Sequence, residues 1–235
     1  MDIQPYIDLD RQSLLEWNGS DSLFWDGFMW VATSTYIWIP LGVVLLYVLF
    51  KNNRIENFIL LVVMLALVIT LADQIASGIC KPFFQRFRPT QDSEIMYLVD
   101  IVNGYRGGRY GFFSSHASNT FAIAIFISLL IQNGLLSFML IFWAIINSYS
   151  RIYLGVHFPG DILFGTLTGC MVGGSGYWGY VYLQKHFFKQ PKCISNQYTS
   201  GNYLITDVHL LETTFLLTLF AIITWGMITT QIQYL

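Results

Sequence analysis

The sequence predicts an all-α protein: a six-span transmembrane helical bundle with an N-terminal interfacial helix. Three observations carry this. Of the 235 residues, 54% are hydrophobic and only 11% charged, against about 25% charged in a soluble domain. Mean hydropathy is +0.53. Six apolar stretches recur along the chain, several of them close to the 20 or so helical residues that cross a bilayer core.

The stretches are Thr33–Phe50, Asn57–Gly78, Ala117–Ile131, Leu135–Tyr149, Ile162–Leu183 and Thr213–Ile232. The third and fourth are short and extend into flanking motifs. Ahead of them, Leu14–Ala32 sets Trp17, Phe24, Trp25, Phe28 and Trp30 among polar residues, a mixture suited to a helix lying in the membrane interface. Asn18-Gly19 reads as a turn, with Ser20 or Asp21 as the following N-cap. The acidic first twenty residues lack the basic-then-apolar order of a cleaved signal peptide. In the fifth stretch Gly165, Gly169 and Gly173 fall four apart on one helix face, where a neighbouring helix can approach closely. No repeat divides the chain, which reads as one membrane-embedded domain over residues 1–235. Cys80, Cys170 and Cys193 have neither disulfide-framework nor metal-ligand spacing.

Six spans put both termini on one side, with the connections 80–116 and 150–161. Lys51, Arg54, Lys185, Lys189 and Lys192 mark the other face, against Arg11, Lys81, Arg86, Arg88, Arg106, Arg109 and Arg151. Five against seven becomes five against four when Lys81, Arg88 and Arg151 are set aside as a functional site. Charge asymmetry therefore leaves the orientation open. A net charge of −2 gives no nucleic-acid footprint.

The charges that matter stand where apolar spans end. Ionisable groups there are expensive and usually functional. "KPFFQRFRP" (Lys81 to Pro89) closes the second span, "FFSSHASN" (Phe113 to Asn119) opens the third, and "SRIYLGVHFPGD" (Ser150 to Asp161) joins the fourth and fifth. All three fall on one side. Lys81, Arg88 and Arg151 can neutralise an anion, the arginines bidentately. Ser114 and Ser115 precede His116 at a helix start, where backbone N–H groups can hold phosphate oxygens. His157 and Asp161 are four apart, so the carboxylate can reach an imidazole nitrogen, fix its tautomer and stabilise the imidazolium. Asp73, inside the second span, has two readings: a polar clamp between helices with Gln74, or a partner of the basic site. The set reads as a phosphate site with its own chemistry. An anion transporter could use the same cations, but the polar residues crowd one face and the halves of the chain do not resemble each other.

These motifs resemble the type 2 phosphatidic acid phosphatase family, membrane relatives of the vanadium haloperoxidases, whose signatures are KxxxxxxRP, PSGH and SRxxxxxHxxxD. Lys81, Arg88 and Pro89 match the first in full, and Ser150, Arg151, His157 and Asp161 the third. In the second, Phe113 stands for Pro and Ser115 for Gly, while Ser114 and His116 are kept. The resemblance covers roughly Asn57 to Leu183. The tract "NGYRGGRYGFFSSHASNTFA" is similar to the variant in Bacteroidetes-type members.

The resemblance implies a metal-independent phosphoric monoester or diphosphate hydrolase that needs no cofactor. His157 would form a phosphohistidine with Asp161 holding its ring. His116 would protonate the leaving oxygen and then activate water. Lys81, Arg88, Arg151, Ser114 and the backbone N–H of Ser115 would bind the phosphate oxygens. The expected substrate is a membrane lipid phosphate or pyrophosphate, with undecaprenyl pyrophosphate leading. Lipid A phosphates, phosphatidylglycerol phosphate and phosphatidic acid follow, and a lipid phosphotransferase would use the same chemistry. The expected location is the bacterial inner membrane, with the site on the periplasmic side.

Overall fold

A computed structural model describes residues 3–187 and 195–232. Lys189, Lys192 and Cys193 lie outside the described residues. The described residues form nine α-helices: α1 (Gln4–Trp17), α2 (Leu23–Ala32), α3 (Ile39–Asn52), α4 (Ile55–Asp73), α5 (Lys81–Phe84), α6 (Ser115–Ile131), α7 (Gly134–Tyr153), α8 (Pro159–Phe187) and α9 (Ile205–Ile232). Among the described residues there is no strand, only the isolated bridges Phe87–Tyr110 and Tyr198–Leu204.

Among the described residues, four segments are long and apolar enough to cross a membrane: Thr35–Asn52, Ile55–Phe84, Gly134–Tyr153 and Ile205–Thr229. Helix α6 is apolar but only 17 residues long. Helix α8 has 29 residues and a run of glycines. Helices thus occupy all six expected positions, but four meet the length and hydropathy that a span requires.

Their ends differ instructively from the apolar stretches. The second runs on past Gly78, because Gln74–Cys80 continues α4 as a π-helix into α5. It stops at Gln85, which is left-handed (φ 46°). The fourth runs to Tyr153, which puts Arg151 on a helix and not in a loop. The sixth starts at Ile205, since its polar first turns find partners: Asp207 accepts from Lys51 Nζ at 2.7 Å and from Asn52 Nδ2 at 2.9 Å. Hydropathy registers the apolar middle of a helix and misses a satisfied polar end.

The N-terminal region is two helices, not one. Gly19, at φ +64°, reverses the chain between them. Asn18 donates to the carbonyl of Tyr153 at 2.7 Å and accepts from the Asp100 N–H at 2.7 Å. This turn bolts the N-terminal segment to the loop that carries the third motif. Residue Ser22, not Ser20 or Asp21, occupies the N-cap of α2, without a side-chain cap bond. Ser20 is instead taken by the Tyr153 hydroxyl at 2.7 Å.

The glycine face of α8 lies on α6. An ideal Cβ on Gly165 would stand 2.6 Å from the Ser114 carbonyl oxygen, on Gly169 2.4 Å from that of Ser118, and on Gly173 2.4 Å from that of Ala122. Backbone therefore meets backbone along three turns. The main core, including Val68, Phe126, Ile127, Leu140, Tyr180 and Ile222, runs through the middle of the bundle. A second, smaller core of Leu14, Ile95, Val99, Ile152 and Phe158 packs α1 and the 85–114 connection beneath the third motif.

Candidate active site

Helix α6 begins where its N-cap chemistry dictates. Ser114 is extended (φ −70°, ψ 114°) and its Oγ accepts from the Ala117 N–H at 3.4 Å, the usual work of a serine N-cap. Its own N–H donates to the Asp161 carbonyl at 3.1 Å, tying the start of α6 to the first turn of α8. Ser115 opens the helix and is not among the residues with positive φ. The glycine common at this position is therefore not needed here for a left-handed conformation. The hydroxyl of Ser115 accepts from Lys81 Nζ at 3.1 Å.

Lys81 reaches the site because the π-helical turn before it shifts its direction; such insertions often mark functional positions. Its Nζ also donates to Ser77 Oγ at 3.1 Å, and Ser77 donates to Asp73 Oδ1 at 3.3 Å. Asp73 thus takes the second of its two readings, a partner of the basic site.

After α7 the chain must turn sharply to bring His157 back beside Arg151. Gly155 permits this at φ +67°, and a Cβ there would stand 2.4 Å from Val99 Cγ1. The N–H groups of Val156 and His157 both donate to the Arg151 carbonyl. Ser150 turns its hydroxyl back to the Asn147 carbonyl at 2.7 Å, which makes it part of the helix end.

His157 Nδ1 and Asp161 Oδ2 lie 3.2 Å apart. The same carboxylate oxygen accepts from the Phe158 N–H at 3.1 Å. Burial, reinforced by the charges of Arg88, Arg151 and Lys81, holds the His157 imidazole well below its ordinary value. With Nδ1 toward the carboxylate, Nε2 is the ring nitrogen that Asp161 does not hold. His116 is within electrostatic reach of Arg151, His157, Lys81 and Arg88.

The two arginines are held differently. Arg88 donates from Nε to the Tyr110 carbonyl at 3.1 Å and from Nη1 to that of Val156 at 3.4 Å. Burial and then Arg151 pull it down from the ordinary guanidinium value. Arg151 donates to Thr33 Oγ1 at 3.0 Å and to the Tyr105 hydroxyl at 3.3 Å, while its Nε is buried with no partner. Cations crowded into low dielectric, one with an orphaned donor, make a site suited to an anion. Among the described residues no group of three His, Cys, Asp or Glu is placed to hold a metal ion.

All eight candidate residues, His157, His116, Asp161, Lys81, Arg88, Ser114, Ser115 and Arg151, meet at this one end of the bundle. Sequence reasoning missed Arg86, whose Nη1 donates to Asp161 Oδ1 at 3.1 Å. The second arginine of "QRFRP" was its signal. It also missed Thr33, which no motif marks, and Tyr105, which stands third in the tract "NGYRGGRYGFFSSHASNTFA".

Three relatives bear on this arrangement. A lipid A 4'-phosphatase of Bacteroides thetaiotaomicron is 43% identical over 182 residues, 77% of this chain and 79% of that protein. A lipid A 4'-phosphatase of Porphyromonas gingivalis is 33% identical over 183 residues, 77% of each chain. An undecaprenyl-diphosphatase of Sulfolobus acidocaldarius is 30% identical over 138 residues, 58% of this chain and 60% of that one. No solved structure matches at a significant level. The PAP2 superfamily matches residues 58–188, the stretch that holds every one of the eight residues, and the chain belongs to that superfamily as a membrane lipid phosphatase.

Proposed function

We propose that this protein removes a phosphate monoester from lipid A, the 4'-phosphate being the one its relatives indicate. The chemistry rests on one observation: a buried His157 paired with Asp161 at 3.2 Å among Lys81, Arg88 and Arg151. The substrate rests on the two lipid A 4'-phosphatases that align over 77% of this chain. Undecaprenyl pyrophosphate, the leading expectation from sequence, gives way to lipid A, because the relative named for that activity aligns over 58% of the chain at 30% identity.

In the proposed reaction the phosphate oxygens take the donors of Lys81, Arg88 and Arg151, the Ser114 hydroxyl and the Ser115 N–H at the start of α6. His157 Nε2 attacks phosphorus as the bond to the sugar oxygen breaks, and that oxygen takes the His116 proton. Asp161 balances the charge left on the His157 ring. His116, now neutral, draws a proton from water, whose oxygen attacks phosphorus and releases inorganic phosphate and neutral His157. No step calls for a metal. The chain crosses the inner membrane six times, with α6 and α8 completing the four longer apolar spans, and the site opens on the periplasmic side.

Phosphate release by the detergent-purified protein from lipid A, undecaprenyl pyrophosphate, phosphatidylglycerol phosphate and phosphatidic acid tests the reading, with His157→Ala as control. Lipid A should be turned over at least tenfold faster, in kcat/KM, than the others. A preference for undecaprenyl pyrophosphate would overturn the substrate assignment, and an active His157→Ala the chemistry.

A further inference from the structure

Helix α1 lies outside the family match, yet it touches the site. Asp10 uses both carboxylate oxygens there. Oδ1 accepts from the Gly160 N–H at 2.7 Å, in the part-buried first turn of α8. Oδ2 accepts from Arg86 Nη2 at 2.7 Å. Arg86 in turn donates from Nη1 to Asp161 Oδ1 at 3.1 Å and lies over the Phe158 ring at 4.1 Å. Three charges thus run in line toward His157: Asp10, Arg86 and Asp161. The Asp161 side chain is fully buried and that of Asp10 is only 15% exposed, so screening by solvent is weak.

We propose that Asp10 is a positioning residue for the phosphoryl-transfer chemistry, acting through Arg86 on the Asp161–His157 pair. The inference rests on the phosphatase reading of this site. As His157 Nε2 bonds to phosphorus, the bond to the leaving oxygen breaks, that oxygen takes the His116 proton, and a positive charge is left on the His157 ring. Asp161 must balance it. A lone Asp161–Arg86 pair is neutral and balances little. Asp10 neutralises Arg86, so the trio presents a net negative charge to the ring. Its second bond, to Gly160, fixes where that charge sits and satisfies an N–H at the start of α8 that lacks a partner within the helix.

Gly160 carries an independent sign of this arrangement. A Cβ there would stand 2.7 Å from Asp10 Oδ2 and 3.3 Å from Oδ1. Gly160→Ala should therefore push the Asp10 carboxylate away without removing its charge, at a helical position where alanine is otherwise favoured.

The test separates charge balance from simple loosening of α1. Vanadate bonds to an imidazole nitrogen and leaves the ring cationic. Inorganic phosphate occupies the same cradle of cations without that bond. Calorimetry on the full-length, detergent-purified protein gives Kd for each, and steady-state kinetics gives kcat and KM. In Asp10→Asn, kcat should fall about tenfold with KM within about twofold. The Kd for vanadate should rise about tenfold, and that for phosphate should stay within about twofold. Gly160→Ala should show the same pattern, and Asp10→Glu should recover most of the loss. In an Arg86→Gln background, Asp10→Asn should cost little more.

An unchanged vanadate Kd in Asp10→Asn would overturn the proposal. So would a parallel loss of vanadate and phosphate binding, the mark of a loosened site. If Asp10→Asn fails to fold, Gly160→Ala reads the same two constants. Wild-type protein that binds vanadate but leaves lipid A untouched would sink the substrate assignment alone, because the Asp10 comparison needs no turnover.

Discussion

Asp161 holds His157 with one carboxylate oxygen and Arg86 with the other, at 3.2 and 3.1 Å. Both His157 and Asp161 are buried, at 1% and 0% exposure. The oxygen that faces His157 also accepts from the Phe158 N–H at 3.1 Å, so the carboxylate is fixed in place, and in the proposed reaction its work is to orient and balance the imidazole. His157→Ala should abolish turnover. Asp161→Asn keeps the shape but loses the charge, and should leave a residue of activity about 100- to 10,000-fold below wild type. Rates for both purified variants, checked for equal folding, decide this. Near-wild-type rates in the two would contradict the assignment.

The pH behaviour of His157 follows from its surroundings. Burial first, then Arg88, Arg151 and Lys81, depresses its affinity for a proton. The folded protein therefore keeps this ring neutral as pH falls through about 6.5, where an unfolded chain takes up a proton. The ring's contribution to stability is complete above that pH and is lost as pH falls below it. The chain has four histidines, so in 15N-histidine spectra the resonances missing from His157→Ala identify this ring. They should hold their neutral-form shifts from about pH 8 to about pH 5.5 in protein free of anions. A titration centred near 6.5 would show that the cations do not act on His157 as the geometry requires.

Adjacent serines at the start of α6 have separate tasks. The Ser114 hydroxyl accepts from Ala117, which leaves its own proton for the phosphate oxygen of the proposed reaction. Ser115 Oγ accepts from Lys81, so it steadies a cation, and in the proposed reaction its backbone N–H takes a phosphate oxygen. Loss of a donor aimed at the transition state costs about 100- to 1,000-fold in rate, the fall expected for Ser114→Ala. Ser115→Ala leaves Lys81 its bond to Ser77 and should stay within about tenfold of wild type. Ser115→Gly should do the same, since no positive φ favours glycine there. A crippled Ser115→Ala beside an active Ser114→Ala would reverse the two roles.

What the sequence made legible is what spacing and hydropathy can encode. His157 and Asp161 sit one helical turn apart, so their contact was visible in the interval of four. Lys81, Arg88 and Arg151 stood out as charges at the ends of apolar stretches. The glycines of α8 declared a contact face without naming its partner, α6. The contribution of α1 was invisible, because Asp10 meets Gly160 across 150 residues and nothing local marks an exposed-looking aspartate as a partner. Helix ends were misplaced where polar side chains find distant partners, as Asp207 finds Lys51. Asp73 could be resolved only once the π-helical turn had placed Ser77 between it and Lys81.

The seat of α6 on α8 sets the distance between the Ser114–His116 start and the Asp161 turn. At Gly169 an added Cβ would meet the Ser118 carbonyl oxygen at 2.4 Å and Phe121 Cβ at 2.9 Å. Backbone cannot swing aside as a flexible side chain can, so the helices must part. Overpacking of this kind costs about 1–3 kcal/mol, and the displacement carries to Ser114, whose N–H is tied to Asp161. Gly169→Val should therefore lower the thermal midpoint in detergent and reduce kcat together. Gly174 lies on the same helix, and a Cβ there meets nothing within 4 Å. Gly174→Ala should leave kcat unchanged and raise stability by up to about 1 kcal/mol through helix propensity. Thermal melts and rates on the two variants separate contact from propensity. Equal behaviour of Gly169→Val and Gly174→Ala would mean that the α6–α8 contact does not hold the site in place.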